Sequence, residues 1–152
     1  MQHRDIDQVR SFADIQPGPL PLTTRRERLE RWAEVLDQTS NRRLNTLGEI
    51  EHASPAERPL MRAANSPLTV AFDDPVLQAA GLRSDRLGDA LTFFDISEDD
   101  AHYIMCSCLH GQTTSARAAA ARVRNLDRLH WLLPATALLG IIGTPLLLTF
   151  LG

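Results

Sequence analysis

The chain is poor in cysteine, aromatics and one of the two basic residue types, and each shortage narrows what it can be. Cys106 and Cys108 are the only cysteines. Two cysteines one residue apart do not resemble the multi-disulfide framework of a small secreted domain, so a reducing compartment is the better expectation. Lysine is absent and all 16 basic residues are arginine. Net charge is −3 with a pI near 5.9, which gives no global attraction to nucleic acid, so no nucleic-acid partner is expected. Aromatics make up 5% of the residues, so the core must rest largely on Leu and Ala. Residues 1–7 have no apolar stretch of the kind a secretory signal carries. GxSxG, P-loop, GxGxxG and HExxH patterns are also missing, and no motif requires an enzyme.

One long apolar run is present. Residues 131–152, WLLPATALLGIIGTPLLLTFLG, hold no ionisable side chain. As a helix they would extend roughly 33 Å, against a hydrocarbon core of about 30 Å. Trp131 and the basic flank of Arg122, Arg124 and Arg128 suit a membrane interface, with anionic lipid as partner. The positive-inside tendency then places the preceding chain in the cytoplasm: a single-pass tail anchor, at the inner membrane in a bacterium. Thr136, Gly140 and Thr144 repeat small residues at every fourth position, a face suited to helix association. Pro134 and Pro145 interrupt the run. Three alternatives remain open: a turn at Gly143-Thr144-Pro145 that returns the chain to one leaflet, a buried core helix of a soluble protein, or burial of the run between the subunits of a soluble homo-oligomer.

Before the run, the pattern predicts an all-α domain of five or six short helices. The expected division is an arm and Pro-rich linker over 1–22, a helical cytosolic domain over 23–130 and the anchor over 131–152. Leu29, Trp32, Ala33 and Leu36 recur at i, i+3, i+4 and i+7 behind a Thr23 or Thr24 cap. Glu27 and Arg31 are spaced for an i,i+4 pair. Leu44, Leu47 and Ile50 predict a second helix over about 41–52. Leu68, Val70 and Phe72 alternate with Thr69 and Ala71, which predicts an extended segment. Asp74-Pro75 reads as N-cap and first helical residue, and Gly81 as a stop. Ser84 opens the next expected helix. Ser97-Glu98-Asp99-Asp100 predicts a capping box for a helix running to about His110, with Gly111 beyond it. A last helix, capped at Thr113, Thr114 or Ser115, should continue through Ala116 toward the apolar run.

His102, Cys106, Cys108 and His110 are candidate metal ligands within nine residues. At 100° per residue the two cysteines of a continuous helix diverge by about 200°, and His102 and His110 lie roughly 12 Å apart. Such a helix lets at most two of the four share an ion, and a zinc site would need further ligands from His3, His52 or a carboxylate. If the helix instead ended by Met105, the Cys-Ser-Cys-Leu-His segment could fold around an ion. The sequence alone favours the plainer arrangement, with Cys108 in the core, the other three partly exposed and no cofactor. The functional expectation is a membrane-tethered helical module that binds a protein partner, with the acidic stretch from Asp73 to Asp100 as one surface. A metal- or thiol-dependent sensor or enzyme centred on residues 102–110 is the alternative.

Overall fold

The computed structural model describes residues 22–126. Helix α1 (Arg25–Gln38) starts as its sequence requires: the Thr24 side chain accepts from the Glu27 N–H while the Glu27 carboxylate accepts from the Thr24 N–H, a complete capping box. Glu27 is thereby committed to the cap, and Arg31 pairs instead with Glu34 and Asp74. Leu29, Trp32, Ala33 and Leu36 are all buried, as the stripe predicts. Trp32 stacks on Phe94 at 4.5 Å and donates its indole N–H to the Pro67 carbonyl at 2.9 Å, so its large apolar area is buried without an orphaned donor.

The domain is mostly helical but not purely so. Strand β1 (Arg43–Asn45) pairs antiparallel with β2 (Thr113–Ser115), Leu44 facing Thr114. The helix expected over 41–52 is therefore replaced by this strand and a 3-10 turn at Ile50–His52. Leu44, Leu47 and Ile50 are nonetheless buried, so the apolar positions are right and the backbone conformation is not. A second 3-10 turn spans Arg58–Leu60. The expected extended segment is helix α2 (Pro67–Phe72): the Ser66 hydroxyl accepts from the Thr69 N–H, and Pro67 supplies the preset first residue. That local grammar overrides the alternation.

Helix α3 (Pro75–Ala79) begins at an Asp74 cap, and Gly81 follows it at φ +116°, where a Cβ is unfavourable. Asp74 also takes two bonds from Arg31, at 3.0 and 2.8 Å. Burial pushes the Asp74 carboxyl up, and the Arg31 guanidinium with the Leu77 and Val76 N–H groups more than offsets this, leaving it below the usual carboxylate range. Helix α4 (Leu87–Phe94) buries Leu87, Ala90 and Phe94; its N-cap is Arg86, two residues past the expected Ser84. Helix α5 (Glu98–Met105) carries the predicted Ser97–Asp100 capping box. It stops five residues before the expected end, and a single turn, α6 (Ser107–His110), follows after Cys106. Gly111 closes that turn at φ +72°. Residues 116–126 form the last described helix, α7, with the Ser115 hydroxyl accepting from the Ala118 N–H. Its Ala116, Ala119, Ala120 and Val123 are fully buried.

Among the described residues no helix is long and apolar enough to cross a membrane. The expected anchor over 131–152, with Arg128, Trp131, Thr136, Gly140 and Thr144, lies outside the described residues.

Gly88 shows how close the packing is. A Cβ there would stand 2.7 Å from the Pro59 Cβ and 3.1 Å from the Pro59 carbonyl oxygen, both on a rigid ring and backbone. Overpacking of this kind costs about 1–3 kcal/mol, more than the roughly 1 kcal/mol that alanine gains in helix propensity. Gly88→Ala should therefore lower stability by up to about 2 kcal/mol, read as a lower denaturant midpoint at unchanged slope; equal or higher stability would mean that the Arg58–Leu60 turn yields freely.

Candidate metal and thiol centre

The early end of α5 builds the site. Leu47, two residues past β1, forms a parallel bridge to Cys106: its N–H donates to the Met105 carbonyl and its carbonyl accepts from the Ser107 N–H, both at 2.9 Å. These two bonds take groups that a continuing helix would pair internally. Each of the last α5 carbonyls then finds another donor. His102 keeps its helical bond from the Cys106 N–H. The Tyr103 carbonyl accepts from His110 Nε2 at 2.7 Å, and the Ile104 carbonyl accepts from Arg122 at 2.8 Å. Every orphan at the helix end is satisfied, as buried backbone demands.

Cys106 has extended geometry, φ −73° and ψ 137°, and acts as N-cap of α6. The 200° divergence expected of the two cysteines therefore does not apply. Their Sγ atoms lie 2.7 Å apart. Cys106 is buried and Cys108 is exposed, which reverses the expected core position of Cys108. From one turn back on α5, His102 brings Nε2 to 3.1 Å from Cys108 Sγ and 2.9 Å from Glu51 Oε2. Glu51 arrives on the Ile50–His52 turn, carried there by the Leu47 bridge four residues earlier.

Glu51, His102, Cys106 and Cys108 thus converge, each offering one donor atom, and all four atoms lie within 4.8 Å of one another. Two sulfurs, one imidazole nitrogen and one carboxylate oxygen suit zinc or a similar borderline-soft dication. Of the four sequence candidates, three take part. His110 does not, because its ring serves the Tyr103 carbonyl. His52, a further candidate, pairs with Glu49 at 3.1 Å, and His3 lies outside the described residues. Glu51 is the member of the cluster that sequence reasoning missed: it stands 51 residues from His102, and no local spacing announces it.

The bond from Cys106, then desolvation, then the charges of Cys106 and Glu51 push the Cys108 thiol up to about 11. A bound dication would act in the opposite sense, because it stabilises thiolate directly. Glu51 is held low chiefly by its own backbone N–H; burial opposes this as the next largest effect, and the His102 bond and charge add to the lowering. Beside Glu51 and His102 opens a cavity of about 400 Å³ lined also by Ile50, Arg58, Glu98 and Asp99.

Comparison with family models, curated proteins and solved structures gives no match, so the geometry is what carries the reading.

Arg122 and Arg124, read from sequence as interface residues, are engaged within the domain. Arg122 also reaches the Thr114 hydroxyl at 3.2 Å, and burial holds its guanidinium below the usual arginine range. Arg124 binds Asp37 at 2.6 Å and Glu30 at 3.1 Å.

Arg58 braces the site without touching the donor atoms. Its Nε donates to the Ala53 carbonyl at 3.0 Å, its Nη2 reaches the Glu51 carbonyl at 3.5 Å, and its Nη1 pairs with Glu98 on α5 at 3.0 Å. The Glu51 turn is thereby tied to the helix that carries His102. Loss of a supporting group around a metal typically weakens affinity about 10- to 100-fold. Arg58→Ala should accordingly weaken zinc binding about tenfold with helical content unchanged, and Arg58→Lys should not restore it, since an ammonium cannot make the same forked contacts. Wild-type affinity in both variants would remove Arg58 from this role.

Proposed function

We propose that residues 22–126 form a zinc-binding helical module and that the ion joins three segments: the Ile50–His52 turn, helix α5 and the Cys106–Cys108 corner. One observation carries this reading, the convergence of four donor atoms of Glu51, His102, Cys106 and Cys108 within 4.8 Å. Two sulfurs at about 2.3 Å from a tetrahedral zinc stand about 3.8 Å apart, so loading would spread the cysteine pair by about 1 Å. Cys108 is exposed and its backbone sits in a single helical turn, which leaves room for that movement. The ion would add free energy directly to the folded state, because the ligands are scattered in the unfolded chain.

The reading predicts stoichiometric uptake of zinc by the full-length chain, and with cobalt(II) the absorption of thiolate-to-metal charge transfer. Cys108→Ser and His102→Ala should each lower affinity at least about tenfold, as loss of a direct ligand requires, while His110→Ala keeps the wild-type spectrum and affinity. A chain that takes up no metal, or one that loses binding on His110→Ala and not on His102→Ala, overturns the assignment.

A second reading concerns where the module works, and rests on the 22 residues 131–152 without an ionisable side chain. We propose that they tether the module to a membrane, where it acts as an accessory subunit or sensor for a membrane-associated partner; a tether raises local concentration there without new contacts. Full-length chain should then sediment with membranes, resist alkaline carbonate and be released by detergent, while a chain truncated after Arg128 stays in the supernatant. Full-length chain in the supernatant would instead place the run in a core or a subunit interface.

A further inference from the structure

We infer that Cys106 and Cys108 are a peroxide-responsive thiol pair, whose closure into an intrachain disulfide expels the metal. The inference rests on the zinc reading for its second half and on geometry alone for its first. The Sγ separation of 2.7 Å lies between two chemical states. A disulfide needs about 2.05 Å, a closure of about 0.7 Å. Tetrahedral zinc needs about 3.8 Å, an opening of about 1 Å. The same two atoms cannot satisfy both, so forming the bond removes two of the four donors and leaves His102 and Glu51, too few to hold zinc against water. Cysteines with a single residue between them are poorly placed for bonding in a continuous helix; here the extended Cys106 backbone at the corner between α5 and α6 puts both sulfurs on one side of Ser107.

Unequal burial divides the labour. Cys108 is exposed and meets oxidant first, and Cys106 is buried at its back. In the zinc-loaded chain Cys108 would be held as thiolate, and its sulfur attacks one oxygen of a hydroperoxide, the O–O bond breaks, and the other oxygen leaves as alcohol or water after taking a proton. Cys108 is then a sulfenic acid. The Cys106 sulfur attacks the Cys108 sulfur, the S–O bond breaks, and that oxygen leaves as water. Two thiols have given two electrons to one hydroperoxide, and a disulfide remains. A dithiol reductant reverses the step by exchange, which restores both ligands. This suits a reducing compartment, where disulfides are transient and sensory rather than structural.

The test uses detergent-solubilised full-length chain loaded with zinc and treated with stoichiometric hydrogen peroxide. Expected are release of one zinc per chain to a chromogenic chelator, a mass loss of two hydrogens on the monomer, and recovery of metal binding after dithiothreitol. Cys108→Ser should show no mass loss of this kind, and so should Cys108→Ala, which covers the event that serine perturbs the corner. Oxygen added to the thiols without the two-hydrogen loss, a disulfide joining two chains, or a disulfide formed with zinc retained would each overturn the inference. Metal-free chain is treated in parallel. There the two-hydrogen loss reports the thiol pair by itself, so a chain that never takes up zinc overturns the metal reading and the release step while the pair is still read independently.

Discussion

The parallel bridge between Leu47 and Cys106 is the constraint on which the rest of this site depends. It consists of two backbone hydrogen bonds, each about as strong as any other and individually worth only about 1 kcal/mol net. Their effect comes from what they displace. By occupying the Met105 carbonyl and the Ser107 N–H they end α5, and the freed carbonyls of Tyr103 and Ile104 must be satisfied elsewhere. His110 and Arg122 do so. Two residues that look like a ligand and a membrane contact in the sequence are thus accounted for by a helix end.

The arginines show a similar pattern. Arg31 grips Asp74, Arg62 binds Asp85, Arg58 links two carbonyls and Glu98, and Arg124 bridges Glu30 and Asp37. Several of these join segments far apart in sequence, where a planar fork with several donors does more than an ammonium could. With few aromatics to build a large core, the domain closes its short helices with these forks as well as with Leu and Ala. Exposed pairs of this sort contribute little energy each, and their value lies in fixing where one element sits on the next. Asp74 is the best placed, because it is buried, caps α3 and receives Arg31 at once.

How much of this was legible follows from which signals are local. The α1 stripe, the caps at Thr24, Asp74 and Ser97, and the stops at Gly81 and Gly111 are rules of a few residues, and all appear in the fold. Leu68 to Phe72 alternate as a strand would, yet Ser66-Pro67 with Thr69 has the same helix-starting grammar as Asp74-Pro75, and it decides the matter. Leu44, Leu47 and Ile50 at intervals of three fit a helix face as well as they fit the strand, bridge and turn they occupy. Only β2, some 70 residues on, selects between these. The site was half legible. The Cys-Ser-Cys-Leu-His segment drew attention, and the condition for its use, a helix ended by Met105, is met. Glu51 was invisible, since its place is set by pairing that no spacing encodes.

The same geometry ties the sulfur pair to helix α7. Cys106 and Cys108 sit at the joint between α5 and α6, and the carbonyl two residues before Cys106 is held by Arg122 of α7. Arg122 also bonds the Thr114 hydroxyl of β2, which runs directly into α7. A change of about 1 Å or less at the sulfurs, in either direction, therefore bears on a corner whose backbone is bonded to Leu47 on one side and to α7 on the other. Close-packed interiors do not absorb such shifts smoothly but pass between discrete arrangements. Because Ala116, Ala119 and Ala120 set α7 tightly against the core, there is little slack on that side of the corner.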